Sequence, residues 1–148
     1  MKSKDTHIDP EVLARTVVIE LVQTGTWVQE QLSEVLKPFK MSIAQFNVLR
    51  ILRGQKGKPA SLACVTDKMI HKMSNTTRLV DKLLEKGLVE RITCPENRRK
   101  VEITITRDGL KLLEKLDVVI AQKEAELTEG LSEENATQLI DFLKKMKK

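Results

Sequence analysis

Ser74, Asn75, Thr76 and Arg78 stand close together in the chain, with Lys72 just before them, and Arg98, Arg99 and Lys100 form an unbroken run of cations further on. Each of these side chains has a defined use against an anionic duplex. Arg presents a planar fork that pairs bidentately with guanine, and Asn suits adenine. Ser and Thr bond either bases or phosphate oxygens. Arg78 alone has two readings, a base contact or an ion pair with an acid further along the helix, Asp81 or Glu85. A run of cations alone usually reads as a solvated turn, so the elements that carry these residues must decide.

The other chemically active side chains do not assemble a reactive centre. His7 and His71 are the only histidines, and Cys64 and Cys94 the only cysteines. On one helix Cys64 and His71 would lie ~10 Å apart, too far for a Cys–His dyad. No Cys or His spacing suits zinc, and there is no Gly-rich phosphate loop. The sequence therefore reads as a non-enzyme without a metal or cofactor. Cys64, in Leu62-Ala-Cys-Val65, reads as a small hydrophobe. Cys94 is expected to be more exposed, with Arg91 and Arg98 near enough to activate a thiol, but a passive role is favoured for it as well. His71 reads as a packed or phosphate-facing residue.

The order of elements along the chain decides how these residues are presented. Residues 9–36 read as one long helix, started by Asp9-Pro10-Glu11 and ended by Lys37-Pro38, with apolar side chains spaced by three and four from Val12 to Leu36. At ~40 Å it is too long to bury its apolar face in one small domain, so a second chain is expected to cover part of it. Ser42 is expected to cap a second helix, with Ile43, Phe46, Leu49 and Leu52 at core spacing, ending before Gly54. Short helices are expected at about 60–65 and 66–70. Ser74 is expected to cap a helix running to Lys86, with Gly87 as its stop and Leu79, Val80, Leu83 and Leu84 as its buried stripe.

The period then changes. Lys100 to Thr106 alternates, with Val101, Ile103 and Ile105 on one side, and Leu88 to Thr93 is its partner. Cys94 to Arg99 is the polar turn, so the basic triplet falls at a hairpin tip. Helices at about 107–129 and 133–147, the second capped by Ser132, close the chain. Helix, helix, capped helix and hairpin in that order form a winged helix-turn-helix, whose capped helix enters the major groove. A narrow minor groove attracts inserted Arg. The candidate DNA-contacting residues are thus Lys72, Ser74, Asn75, Thr76, Arg78, Arg98, Arg99 and Lys100.

Composition agrees. The 148 residues carry a net charge of +5, but residues 66–106 carry +3 while 107–148 carry −1. Aromatic residues make up 3%, with no Tyr, which excludes the stacking platforms that bind single strands. The two cysteines fit a reducing cytoplasm rather than a disulfide framework. Apolar runs fall short of the ~20 residues a membrane span needs, and no membrane partner is expected.

The stretch Leu79 to Arg91, followed by Asn97-Arg-Arg-Lys-Val-Glu-Ile-Thr-Ile-Thr-Arg-Asp-Gly109, resembles the MarR family of winged helix-turn-helix transcription regulators. Arg99, Ile103, Ile105, Thr106 and Gly109 fall at the positions of the family's wing signature. Asn97 stands where the family has an acid; it can still accept a hydrogen bond but brings no charge to hold Arg99, and Glu96 is a neighbouring substitute. The resemblance implies a mainly α fold with a small β-hairpin wing. It implies an N-terminal dimerisation helix (1–36), a DNA-binding domain (37–106) and C-terminal dimerisation helices (107–148). It also implies a homodimer on a pseudo-palindromic operator, mostly a repressor, relieved by a small aromatic or carboxylate effector bound between the lobes. Trp27, Phe46, Met69 and Met73 are the candidate pocket walls, although Trp27 also reads as dimer core. Two alternatives stay open: a winged-helix protein-interaction module without DNA binding, and a thiol-based redox-responsive regulator.

Overall fold

The computed structural model describes residues 7–72, 75–94 and 96–147, and places the side chains of all of these except Cys94, Asn97, Arg98 and Arg99. Helix α1 spans Pro10–Leu36 and starts where the Asp9 carboxylate accepts the Glu11 N–H at 2.9 Å, with Pro at its first position. Only Leu36 of its 27 residues is buried. Val12, Leu13, Val17, Val18, Ile19 and Val22 are all exposed. A 3-10 turn at Lys37–Phe39 leads to α2, Ile43–Gly54, which takes in Gly54 as its last residue. Helix α2 opens on a complete capping box: the Ser42 hydroxyl accepts the Gln45 N–H, and the Gln45 side chain accepts the Ser42 N–H, each at 3.0 Å.

The two short helices expected next are replaced by a two-residue strand, β1 (Ala60–Ser61), and one helix, α3 (Leu62–Lys68). Ser61 both pairs across to Glu102 and caps α3 by accepting the Cys64 N–H at 3.1 Å. A strand of two residues has no alternation of its own, so its partner alone defines it. Helix α4 spans Thr76–Glu85 and is capped by Asn75, not by Ser74; the Asn75 side-chain oxygen accepts the Arg78 N–H at 3.1 Å. Ser74 and Met73 lie outside the described residues. Gly87, at φ 71°, takes the left-handed turn after α4 that a side chain would disfavour.

Strands β2 (Val89–Cys94) and β3 (Asn97–Ile105) form the antiparallel hairpin, and the sheet order is β1-β3-β2. Here the expected turn over 94–99 is corrected: both strands run further, and β3 already begins at Asn97. The register jumps between Thr93, opposite Val101, and Cys94, opposite Asn97. Residues 98–100 therefore have no opposite number on β2 and form a bulge. A bulge bends the strand and raises its local twist.

Helix α5 (Arg107–Leu127) is capped by Thr106, and α6 (Glu133–Met146) by Ser132. The core lies where α2, α4, α5 and the sheet meet. Leu36, Val48, Leu49, Leu52, Val65, Val80, Leu83, Ile103, Leu113 and Leu116 are all nearly or fully inaccessible. The expected stripe of α4 divides: Val80 and Leu83 are buried, while Leu79 and Leu84 pack at its margin. Helix α6 buries nothing within the chain, and Leu139, Ile140 and Phe142 are exposed.

The start of α5 is fixed to the end of α4. The Thr106 hydroxyl donates to the Gly87 carbonyl at 2.8 Å and accepts the Gly109 N–H at 3.0 Å. The Thr106 N–H donates to the Leu88 carbonyl, also at 3.0 Å. A Cβ on Gly109 would lie 2.3 Å from the Leu88 carbonyl oxygen, so only glycine permits this approach.

Candidate nucleic-acid interface

Arg78 is the exposed cation of the first turn of α4. Among the described residues it makes no ion pair, because Asp81, one of its expected partners, bonds Arg91 of β2 at 3.1 Å instead. That pair ties α4 to β2 of the wing. Lys72 is exposed in the segment before the helix, and Lys82 is exposed one turn beyond Arg78. A shallow cleft between the start of α2 and α4 brings together Ser42, Ala44, Asn75, Arg78 and Lys82.

Two expected readers take other roles. The expectation that Thr76 lies on the exposed face is corrected: only 6% of it is accessible. Its hydroxyl shares a 2.8 Å hydrogen bond with that of Thr66 on α3, which also donates to the Leu62 carbonyl. The pair locks the angle between α3 and α4, so Thr76 positions the helix from inside. Asn75 is exposed, but its side-chain oxygen is engaged in the cap. Bidentate pairing with adenine uses both ends of the amide, and here the NH2 end is the one not occupied by capping.

In the wing, the backbone of residues 98–100 forms the bulge near the hairpin end. Arg98 and Arg99 side chains lie outside the described ones. Lys100 is exposed, 3.9 Å from Glu102, a distance at which a solvent-exposed pair contributes little. Thus the segment before α4 presents Lys72, α4 presents Arg78 and Lys82, and β3 presents Lys100, with α4 joined to β2 by Asp81–Arg91.

A separate cavity of about 140 Å³ lies between α1, α2 and α5. Leu32, Leu36, Ile43, Phe46, Ile70 and Ile120 give it apolar walls, with Asn47, Arg50 and Glu124 as its polar groups. The Arg50 guanidinium stands 5.5 Å from the centroid of the Phe46 ring, in cation–π range. Of the expected pocket walls that are described, only Phe46 lines it. Met69 is buried in the core instead, because it closes α3 against it, and Trp27 sits half-exposed on α1 away from the cavity. Sequence reasoning missed Asn47 and Arg50; the one signal was their position on the turn of α2 that carries Phe46, where lone polar residues ordinarily read as a solvated face. Cys64 is half-buried against the core. No metal-binding cluster occurs among the described residues, and none of their helices is long and apolar enough to cross a membrane.

The MarR family model matches residues 41–101, from the start of α2 into β3. The multiple antibiotic resistance protein MarR of Escherichia coli (strain K12) is 31% identical over 121 residues, covering 78% of this chain and 79% of that protein. The crystal structure of a cysteine-to-serine mutant of E. coli MarR complexed with operator DNA superposes with a TM-score of 0.80 at 25% identity, covering 94% of this chain and 99% of that one. The structure of Bordetella bronchiseptica BpsR, described for regulation of its DNA binding by 6-hydroxynicotinic acid, gives a TM-score of 0.79 at 25% identity over 88% of this chain and 92% of that one.

Proposed function

The chain belongs to the MarR family of transcription regulators, which are not enzymes, and from that premise we propose that it is a homodimer that binds a pseudo-palindromic operator in double-stranded DNA and represses the adjoining genes. The observation that carries this reading is Arg78 on the exposed start of α4, without an ion-pair partner among the described residues, on a helix that Asp81–Arg91 ties to β2 of the wing. In the major groove Arg78 takes guanine, with Lys72, Ser74, the Asn75 amide and Lys82 on or near the backbone. Arg98, Arg99 and Lys100 serve the adjacent minor groove and its phosphates. Thr76 acts by holding α4 rather than by touching DNA.

The dimer is supported by apolar surface that the chain leaves bare. Val12 to Val22 on α1 and Leu139, Ile140 and Phe142 on α6 are exposed, and Leu139 and Leu143 of α6 form one groove with Val17, Leu21 and Val28 of α1. Contiguous apolar surface of this kind marks an interface in a soluble protein. Residues 1–36 and 107–148 thus serve dimerisation, and 37–106 DNA binding. The cavity under Arg50 suits a small, flat effector with an anionic group, a carboxylate on an aromatic ring, whose binding relieves repression. BpsR supports this part by its regulation with a pyridine carboxylic acid.

Selection of bound fragments from the source genome tests the reading. The expected result is enrichment of inverted repeats with half-sites about one helical turn (~34 Å) apart. A fragment pool no more enriched than one recovered with an Arg78→Ala, Arg99→Ala double variant contradicts it.

A further inference from the structure

Residues 70–72 lie between α3 and the capped start of α4, and two side chains from outside that pair of helices reach them. The Asn47 side-chain oxygen, on α2, accepts the Ile70 backbone N–H at 3.0 Å. The Gln29 amide nitrogen, on α1, lies 2.7 Å from Nε2 of His71. Neither contact is required by the secondary structure, and Ile70 itself is 75% exposed, so hydrophobic burial does not hold the segment at that point. Met69 and Thr76 are buried on either side of it. Ile70 and His71 are thus held by two polar tethers, one to each of two helices that meet at the cavity.

We propose that Asn47 and Gln29 are positioning residues for DNA binding. They hold the 70–72 segment, and through it set where Lys72 and the first turn of α4 stand relative to α1 and α2. The proposal rests on the DNA-binding reading above. Asn47 and Ile70 also both line the cavity, so the tether runs along its wall. A single hydrogen bond of this kind has a modest net worth, and its loss leaves an exposed amide that water can serve. The expected consequence is a mobile segment on a folded protein, not an unfolded one.

The test uses the full chain with Asn47→Leu, Asn47→Asp and Gln29→Leu. Amide exchange of residues 70–72 and affinity for a duplex recovered in the selection are measured together. Asn47→Leu should speed exchange at Ile70 and weaken duplex binding about three- to ten-fold, the size expected for one hydrogen bond. Asn47→Asp keeps an acceptor oxygen and should restore slow exchange at Ile70, a rescue that a merely space-filling role would not give. Gln29→Leu removes the bond to the His71 ring; because Gln29 also lines the groove between α1 and α6, the mass of the variant is measured too, and a variant that keeps the wild-type mass should weaken binding by a similar factor. Wild-type duplex binding together with Asn47→Leu and Gln29→Leu variants that bind equally well overturns the proposal alone. A wild-type chain that binds no duplex overturns the DNA-binding reading and this proposal with it.

Discussion

Arg78 and Arg99 share a side-chain type, but their roles should differ when each is replaced. Arg78→Ala should weaken operator binding and relax preference at one base position, by about 1–3 kcal/mol if the guanidinium reads guanine. Arg99→Ala should weaken binding to all duplexes alike and lower the salt slope by about 1. Affinity measured on the operator and on a set of single-base variants checks both. Gly109 makes the opposite kind of prediction, one of stability. Its Cβ-less approach to the Leu88 carbonyl means that Gly109→Ala must push backbone against backbone, an overpacking that should cost about 1–3 kcal/mol in urea unfolding. Which polar residues face outward is only partly legible in the sequence. Arg78 is exposed as expected, whereas Thr76 is turned inward to Thr66. That difference depends on how α4 is rotated against α3, and residue type alone does not contain it.

Caps and periodicities make most elements readable: Asp9 before α1, Ser42 before α2 and Ser132 before α6 all act as caps. The failures have physical causes. Two acceptors in a row, Ser74 and Asn75, both suit a cap, and Asn75 takes it. One residue is about 100° of helix rotation, enough to exchange an exposed position for a buried one. Strand β1 is defined only by its pairing with β3, which local sequence cannot show. The bulge at 98–100 is hidden by a Pro-containing stretch, where a longer loop and a longer, bulged strand have the same composition. Its consequence is that the cations sit on β3 near the tip rather than in the turn. The Asp81–Arg91 pair should matter more to binding than to folding, since it is half-exposed and such pairs contribute little to stability. Arg91→Ala should therefore leave the unfolding free energy within about 0.5 kcal/mol of wild type, while duplex affinity falls because β2 loses its side-chain tie to α4.

Across the whole molecule the packing is uneven. The α2–β3 region has a dense core, while α1 and α6 show most of their apolar side chains to solvent. That much follows from the sequence, because a ~40 Å helix cannot be covered by a domain of this size. The cavity is not legible there, because it is formed by α1, α2 and α5 from positions far apart in the chain. A chain lacking residues 1–36 should be insoluble or unfolded, since it loses fully buried Leu36 and the helix packed along α5; circular dichroism and sedimentation check this, and a soluble, folded monomer would refute the shared-helix reading. The most direct measurement of operator binding by a dimer is a salt titration of affinity for a selected duplex, with the mass of the complex determined in parallel. The predicted result is one dimer per duplex and a log–log slope of roughly −0.9 for each phosphate contacted. Saturable binding absent at low salt on every genomic duplex, or a salt-independent affinity, would contradict it.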